Sequence, residues 1–495
     1  MNKIDVKIKR ITNFLYSFRL STNDGIRHVS KALTFRNPNP YAYQQTTLMF
    51  DRNKLTFKIG MFPTLISYLK EHHVSYEVED YDFDLPEGVT IDDRMSGKYI
   101  HQANAVKAFF KRRFGIIQVP TRGGKTFIMS EILRIFLNTD KGNFLFCVDN
   151  ITLFNQAVGD IKKFFERYGG IEVGEIKAGH VDVSKRVTVG MRQTIQSTLS
   201  DRCSDKEKKK ALKQYFKTLA FLSVDEIHDN VSDSLLRLWK SASKIEYLLL
   251  LSATPYKSET PEQNLKLQAW SGDIVYKITE KELRTRKVLS DYKVFLFAVN
   301  HNEIDYNIGD DDYRTLRETL IFNSDVRNRV LVDVIGILDS LRLKTLVLFQ
   351  SVEHGEAISG KTGFPFISGK TKGKEREKRK GEFLKDKGGI LLASDIFKKG
   401  VTLPECEVII IVDEGLEVSS VIQKKGRTLG VTETKQRSLV IDFIDIYDVY
   451  FSEHSESRLE TYVNEIGEKN VGILDVTSDD YLEKFKEWTI SWFKK

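Results

Sequence analysis

The sequence predicts an α/β protein: two tandem doubly wound parallel-sheet domains, a small α+β domain ahead of them and a helical extension after them. Three observations predict this class. Short β-rich apolar runs at 116–119, 144–148, 187–189, 219–224 and 247–251 do not alternate with polar residues, as expected of parallel strands buried on both faces. Helix-like stretches separate these runs, so each strand reaches the next by a crossover. The same alternation returns after residue 291, with strand candidates at 294–299, 345–349, 366–367, 390–393, 408–412 and 439–441. The domain bounds expected from this are 1–95, 96–270, 271–450 including a linker, and 451–495 for the extension.

Length and composition fit the division. A chain of 495 residues, 41% hydrophobic, accommodates about three domains of roughly 150 residues each. No apolar run reaches the length of a membrane span, and the opening Met1-Asn2-Lys3-Ile4-Asp5 turns polar too soon for a signal peptide, so a cytosolic protein is expected. Cys147, Cys203 and Cys406 lie far apart without metal-ligand spacing and read as reduced thiols. Lys and Arg number 76 against 69 Asp and Glu, a net charge of only +7. Contact with nucleic acid must therefore come from local clusters.

In the first 95 residues, Ile4, Val6 and Ile8 alternate as in a strand, and Thr22 or Asn23 caps a helix reaching Leu33. A hairpin about Asp51-Arg52-Asn53, a helix over 63–72 and a strand over 74–78 complete the unit. Arg36-Asn37-Pro38-Asn39-Pro40-Tyr41-Ala42-Tyr43 mixes a base, amides and aromatics. That suits backbone contact and base stacking, and equally an irregular surface loop.

The chemistry begins at Val119-Pro120-Thr121-Arg122-Gly123-Gly124-Lys125-Thr126, between an apolar run and a helix-like run. Backbone N–H groups converge there on a helix N-terminus, which attracts anions. Lys125 suits the β- and γ-phosphates and the Thr126 hydroxyl suits Mg²⁺. The match to a Walker A loop is imperfect: Val119 stands for the first Gly, and Arg122 where a further Gly is usual. Val224-Asp225-Glu226-Ile227-His228 ends another strand run, and two carboxylates there need a cation. Asp225 suits Mg²⁺ and Glu226 suits orienting and deprotonating a water, with a solvated strand end as the plainer alternative. Leu251-Ser252-Ala253-Thr254-Pro255 adds two hydroxyls at a third strand end.

In the second region, 393–404 follows a strand, and Gln423-Lys424-Lys425-Gly426-Arg427 falls on a helix. The mixed-charge run at 370–380 suits contact with phosphates, with a solvated helix face as the plainer reading. A helix over 480–493, with Tyr481, Phe485, Trp488 and Trp492 among lysines, reads as amphipathic and docked on a domain; base stacking is the sharper alternative.

With these pieces in order, the chain resembles the superfamily 2 helicases of the DExH type. Gln102 stands as the adenine-reading glutamine, 121–126 as motif I, 149–156 as Ia, Asp225-Glu226-Ile227-His228 as II, Ser252-Ala253-Thr254 as III, 349–357 as IV, 394–404 as V and 423–430 as VI. More narrowly, it is similar to phage recombination and branch-migration helicases, on Val189-Gly190-Met191-Arg192-Gln193-Thr194, on Phe349-Gln350-Ser351-Val352-Glu353-His354-Gly355 and on the small domain ahead of the core.

The resemblance implies two RecA-like domains, ATP and Mg²⁺ as cofactors, and ATP-driven translocation on forked or four-way DNA, with fork regression and Holliday-junction branch migration in phage replication, recombination and repair. It implies a monomer in the host-cell cytoplasm, with no membrane and with replication or recombination proteins as partners. Catalysis falls to Lys125, Asp225, Glu226 and Arg427. ATP contacts fall to Gln102, Thr121, Arg122, Gly123, Gly124, Lys125, Thr126, Gly400, Gln423 and Arg427, and Mg²⁺ to Thr126 and Asp225. DNA contacts fall to Asn150, Arg192, Gln193, Thr194, Ser351, Ser394 and Lys399, and interdomain coupling to His228, Ser252 and Thr254.

One position departs from the pattern. Motif VI usually reads Gln-x-x-Gly-Arg-x-x-Arg, and here Gly430 replaces the final Arg. Losing an arginine finger costs about 10³- to 10⁵-fold in phosphoryl transfer, so either Arg427 supplies the charge or turnover is weak, with Arg122 a further candidate. Two other readings stay open: a DExH RNA helicase, and a nucleic-acid-binding protein that senses ATP with weak hydrolysis.

Overall fold

The computed structural model describes residues 5–12, 15–21, 23–36, 46–80, 83–201, 203–226, 242, 244–256, 261–301, 313–386, 388–394, 403, 405–412, 430–432, 435–446 and 449–494. They form two compact units: Met1–Pro120 with Gly124–Ile278, and Thr279–Lys495 together with the three-residue segment Thr121–Gly123.

The first unit holds two sheets. The N-terminal one has five strands in the order Phe50–Asp51, Thr56–Lys58, Leu15–Leu20, Val6–Thr12, Tyr76–Glu79. Val6 and Ile8 alternate inward with exposed lysines between them and meet Tyr16, Phe18 and Phe57 in the core. The turn after Phe50–Asp51 is set by Asp51, whose Oδ1 accepts from the backbone of Asn53 (2.9 Å) and Lys54 (3.0 Å). Thr46–Leu48, expected in that hairpin, pairs instead with Thr34–Arg36. The aromatic loop after Arg36 lies outside the described residues.

This small sheet is docked on the larger one. A Cβ built on Gly60 would land on the carbonyl oxygen of Gln268, with Ala269 Cα 3.1 Å away. Only glycine permits that approach. Beside it, Lys58 Nζ lies 4.0 Å from the ring centre of Trp270, a cation–π contact. The two sheets share one hydrophobic cluster.

The larger sheet has eight strands in the order His180–Val181, Val173–Lys177, Val187–Met191, Asn143–Val148, Leu219–Asp225, Tyr247–Ser252, Phe114–Gln118, Ile274–Lys277. Every pairing is parallel except that of the short His180–Val181 strand. Its central strands are buried throughout, which is why they read as continuous apolar runs.

The second unit is built on a seven-stranded parallel sheet ordered Phe366–Ile367, Ile390–Ser394, Thr345–Phe349, Val408–Ile411, Arg437–Ile446, Asp291–Asn300, Val471–Asp475. The fold is thus α/β with two parallel sheets of the RecA-like kind. The C-terminal segment contributes more than helices: Val471–Asp475 adds an edge strand between helices Val449–Ile466 and Tyr481–Lys494. Arg458 (Nε, 3.0 Å) and Tyr462 (Oη, 2.9 Å) both donate to buried Asp442, fixing the first helix to the sheet. In the last helix Phe485 packs on Phe295 and Phe297, with ring centres 5.0 and 5.2 Å apart, and Trp488 lies 4.8 Å from Phe295. Its aromatics therefore cover the sheet.

Candidate active site

Three strands of the first unit bring their carboxyl ends to one level. Gln118 pairs with Ser252, and Asp225 with Leu251, across adjacent parallel strands. Functional groups of open α/β sheets collect along this edge. Val119 N donates to Ser252 O (3.1 Å) and Gln118 Nε2 to Ala253 O (3.1 Å), tying the strand that launches the glycine loop to the Ser-Ala-Thr turn.

Gly124 ends the loop at φ 93° and is the N-cap of helix Lys125–Thr139. No side chain caps this helix and no acid lies in its first turn, so its positive end is available to an anion. Gly124 is required twice over. Its φ suits glycine, and a Cβ there would overlap Nε2 of Gln102 and lie 3.1 Å from its Cδ. Gln102 is thereby brought against the loop, where the sequence places the base-reading amide.

Lys125 Nζ donates to Glu226 Oε1 at 2.7 Å, with both side chains largely buried. Glu226 has a left-handed backbone, φ 48°, and its N–H is 3.0 Å from Asp225 Oδ1. A non-glycine residue in this region at a strand end is a locally strained arrangement. Burial opposes the Lys125 charge, but the carboxylates of Glu226 and Asp225 outweigh it and raise the ammonium pKa. Asp225 is pushed up to about 7, first by burial and then by the neighbouring Glu226 charge. A desolvated carboxyl beside a second acid is the environment a divalent cation relieves. Asp225 and the Thr126 hydroxyl therefore fit Mg²⁺ chemically, and Lys125 fits phosphate oxygens.

The loop helix is braced from behind by residues that periodicity did not reveal. Glu131, fully buried in an apolar helix face, accepts from Asp92 N (2.9 Å) and from Arg134. Arg94 chelates Asp92 and stacks on Phe127 and Phe164, 4.9 and 5.0 Å from their centres. The legible signal was an acid inside an apolar run, which demands a partner.

Asn150 caps helix Ile151–Phe165 through its side-chain oxygen, 2.9 Å from Leu153 N. Arg192 Nε lies 3.1 Å from Asp149 Oδ1, and Gln193 and Thr194 follow in the first turn of helix Arg192–Leu199. Val148 and Met191 are paired in register, so both segments leave the sheet side by side. Ser252 Oγ accepts from Thr254 N at 3.1 Å, and the buried Thr254 Oγ1 has no hydrogen-bond partner among the described residues.

In the second unit, Ser351 caps helix Val352–Thr362, and Ser394 pairs with Phe349 at the strand ends. His228, Lys399, Gly400, Gln423 and Arg427 lie outside the described residues.

Residues 97–257 match the family model described as the type III restriction enzyme res subunit, and residues 327–430 match the helicase conserved C-terminal domain. The chain is a superfamily 2 helicase. This helicase is 23% identical over 362 residues to the putative helicase 22 of Sulfolobus islandicus filamentous virus, covering 68% of its own length and 62% of that relative. It is 21% identical over 401 residues to the ATP-dependent DNA helicase uvsW of Enterobacteria phage T4, covering 74% and 75% of the two chains. Among solved structures it is similar to S. cerevisiae Dbp5 bound to RNA and ADP BeF3, with a TM-score of 0.55, 14% identity, and 79% and 92% of the chains covered. At that identity the structural likeness speaks for the fold. No helix among the described residues is long and apolar enough to cross a membrane.

Proposed function

We propose that this helicase couples ATP hydrolysis to translocation on DNA, with forked and four-way junctions as its substrates in replication, recombination and repair. The observation that carries the reading is the Lys125–Glu226 ion pair, 2.7 Å long, beside Asp225 at the carboxyl edge of the sheet. A phosphate-binding ammonium, a metal-binding carboxyl and a candidate base meet there from two elements, the start of helix Lys125–Thr139 and the end of strand Leu219–Asp225. The similarity to a phage enzyme named as a DNA helicase supports DNA as the track.

In this mechanism the helix N-terminus and Lys125 bind the β- and γ-phosphates of ATP. Thr126 and Asp225 would hold Mg²⁺, which would neutralise phosphate charge. Drawing Lys125 onto the phosphates frees Glu226, which orients a water and takes its proton as the oxygen attacks γ-phosphorus; ADP leaves and inorganic phosphate forms. Gln102 reads the base. Arg192, Gln193, Thr194, Ser351, Ser394 and Lys399 hold the DNA backbone without reading sequence, while His228, Ser252 and Thr254 couple the nucleotide state to it.

Lys125→Ala is expected to abolish DNA-stimulated phosphate release while leaving DNA affinity within about threefold, since one positioned charge mainly stabilises the transition state. Retained turnover would sink the assignment. A panel of matched DNA and RNA forks, blunt duplex and four-way junctions tests the substrate; equal unwinding of RNA and DNA would remove the DNA reading.

A further inference from the structure

The whole chain has a net charge of only +7, yet helix Lys206–Lys217 of the first unit holds six lysines against one glutamate. Its inner face is apolar. Leu212, Tyr215 and Phe216 are buried, and Tyr215 Oη donates to Phe144 O at 2.6 Å. Asp205 caps the first turn, accepting from Lys208 N at 3.0 Å. These contacts hold the helix against its own lysines, since like charges three or four residues apart destabilise a helix. Lys206, Lys210, Lys213 and Lys217 are exposed and follow one another at intervals of four, three and four residues, so they form one straight row about 17 Å long. The acids beside them are engaged by the other two lysines: Lys208 Nζ lies 3.0 Å from Asp205 Oδ2, and Lys209 Nζ 3.1 Å from Asp201 Oδ1. Among the described residues, none of the four lysines of the row is in an ion pair.

The row begins beside the segment that carries Arg192. Lys208 Nζ donates to Gly179 O (3.2 Å), in the turn just past the carboxyl end of strand Val173–Lys177. That strand pairs in parallel with Val187–Met191, which delivers Arg192. At the other end of the helix, Thr218 Oγ1 accepts from Asn143 Nδ2 (2.8 Å), where strand Asn143–Val148 starts. The helix therefore carries its lysines from the carboxyl edge of the sheet to the opposite edge. Glu207, Ala211 and Gln214, exposed among the lysines, offer no aromatic or large aliphatic anchor, and lysine is itself depleted in protein interfaces. A row of single charges without an anchor suits regularly spaced phosphates, which call for neutralisation and no side-chain pocket.

We propose that Lys206, Lys210, Lys213 and Lys217 bind the phosphate backbone of a DNA arm that runs off the carboxyl edge of the first unit, outside the track gripped by the motor. The contact is independent of sequence and adds to the affinity for branched DNA without touching the nucleotide chemistry. The proposal rests on the reading of this helicase as one that acts on DNA junctions and deepens it, by giving one of the arms a place.

The test compares three full-length proteins: wild type, a glutamine variant combining Lys206→Gln, Lys210→Gln, Lys213→Gln and Lys217→Gln, and an arginine variant with Lys→Arg at the same four positions. Nucleotide-free binding to a four-way DNA junction and to a short DNA single strand is measured across a range of salt. Each phosphate contact adds about 0.9 to the slope of log Kd against log salt, so the glutamine variant is expected to lose about 2 to 4 of the junction slope and to bind the junction about tenfold or more weakly at low salt. Its slope for the single strand is expected to match the wild type, and the arginine variant to match the wild type on both DNAs. With saturating single strand, kcat for phosphate release by the glutamine variant is expected to stay within about twofold of the wild type. An unchanged junction slope overturns the proposal and leaves the row to an acidic protein partner. An equal loss on the single strand overturns the separate arm and puts the row in the track itself. A loss in the arginine variant as large as in the glutamine variant overturns the charge role in favour of a disturbed helix. Absence of DNA-stimulated phosphate release by the wild type would remove the motor reading instead, and the salt slopes would still decide the row.

Discussion

His354 shows at the scale of one residue how a side chain singled out for a motif serves the core. It lies buried with Nε2 donating to Asn328 Oδ1 at 2.7 Å, and burial, helped by the Arg327 and Lys361 charges, lowers its pKa to about 3. The unfolded value is about 6.5, so between these limits the unfolded chain binds a proton that the folded chain excludes. Stability therefore falls as pH drops from about 6.5 towards about 3, by roughly 1.4 kcal/mol per unit from this group. Urea unfolding of the second unit at about pH 7 and about pH 5.5 should show that slope, and His354→Gln should flatten it. An unchanged slope in the variant would assign it to other groups. The sequence made Lys125, Asp225 and Glu226 legible because each follows a strand where an unpartnered charge has no structural use. It left Arg94 and Asp92 illegible because their partners, Phe127, Phe164 and Glu131, are tens of residues away and join them only on folding.

At the scale of elements, the buried parallel strands were the most readable feature, since burial on both faces makes them uniformly apolar. The edge strand Val471–Asp475 and the antiparallel strand Leu15–Leu20 were not. Val471–Asp475 is half-buried and only five residues long, and Leu15–Leu20 mixes serine and arginine into its run, so neither carries a clean period. The docking of the small N-terminal sheet was equally hidden, because it depends on one glycine meeting one carbonyl. Gly60→Ala is expected to destabilise the first unit by about 1–3 kcal/mol through overpacking against rigid backbone. Gly159→Ala, in helix Ile151–Phe165 with nothing within 4 Å of the added carbon, is the control and should be neutral or slightly stabilising. Equal thermal shifts for the two would remove the docking argument.

At the scale of the whole molecule, the two large buried clusters among the described residues, one shared by both sheets of the first unit and one in the second, predict two calorimetric transitions rather than one or three. A non-hydrolysable ATP analogue with Mg²⁺, at about 100 times its Kd, should stabilise the native protein by about 2.7 kcal/mol and move the transition of the first unit most. A third transition at low temperature would mean that the N-terminal sheet melts alone. The contact of Lys125 with Glu226 bears on the idle state of such an engine. The arriving triphosphate must win the lysine from a carboxylate already bonded to it, so binding is an exchange of partners. A nucleoside monophosphate brings too little charge to win that exchange. Selectivity for the full triphosphate, and silence of the base until it arrives, then come from a competitive inhibitor one side chain long that the protein carries within itself.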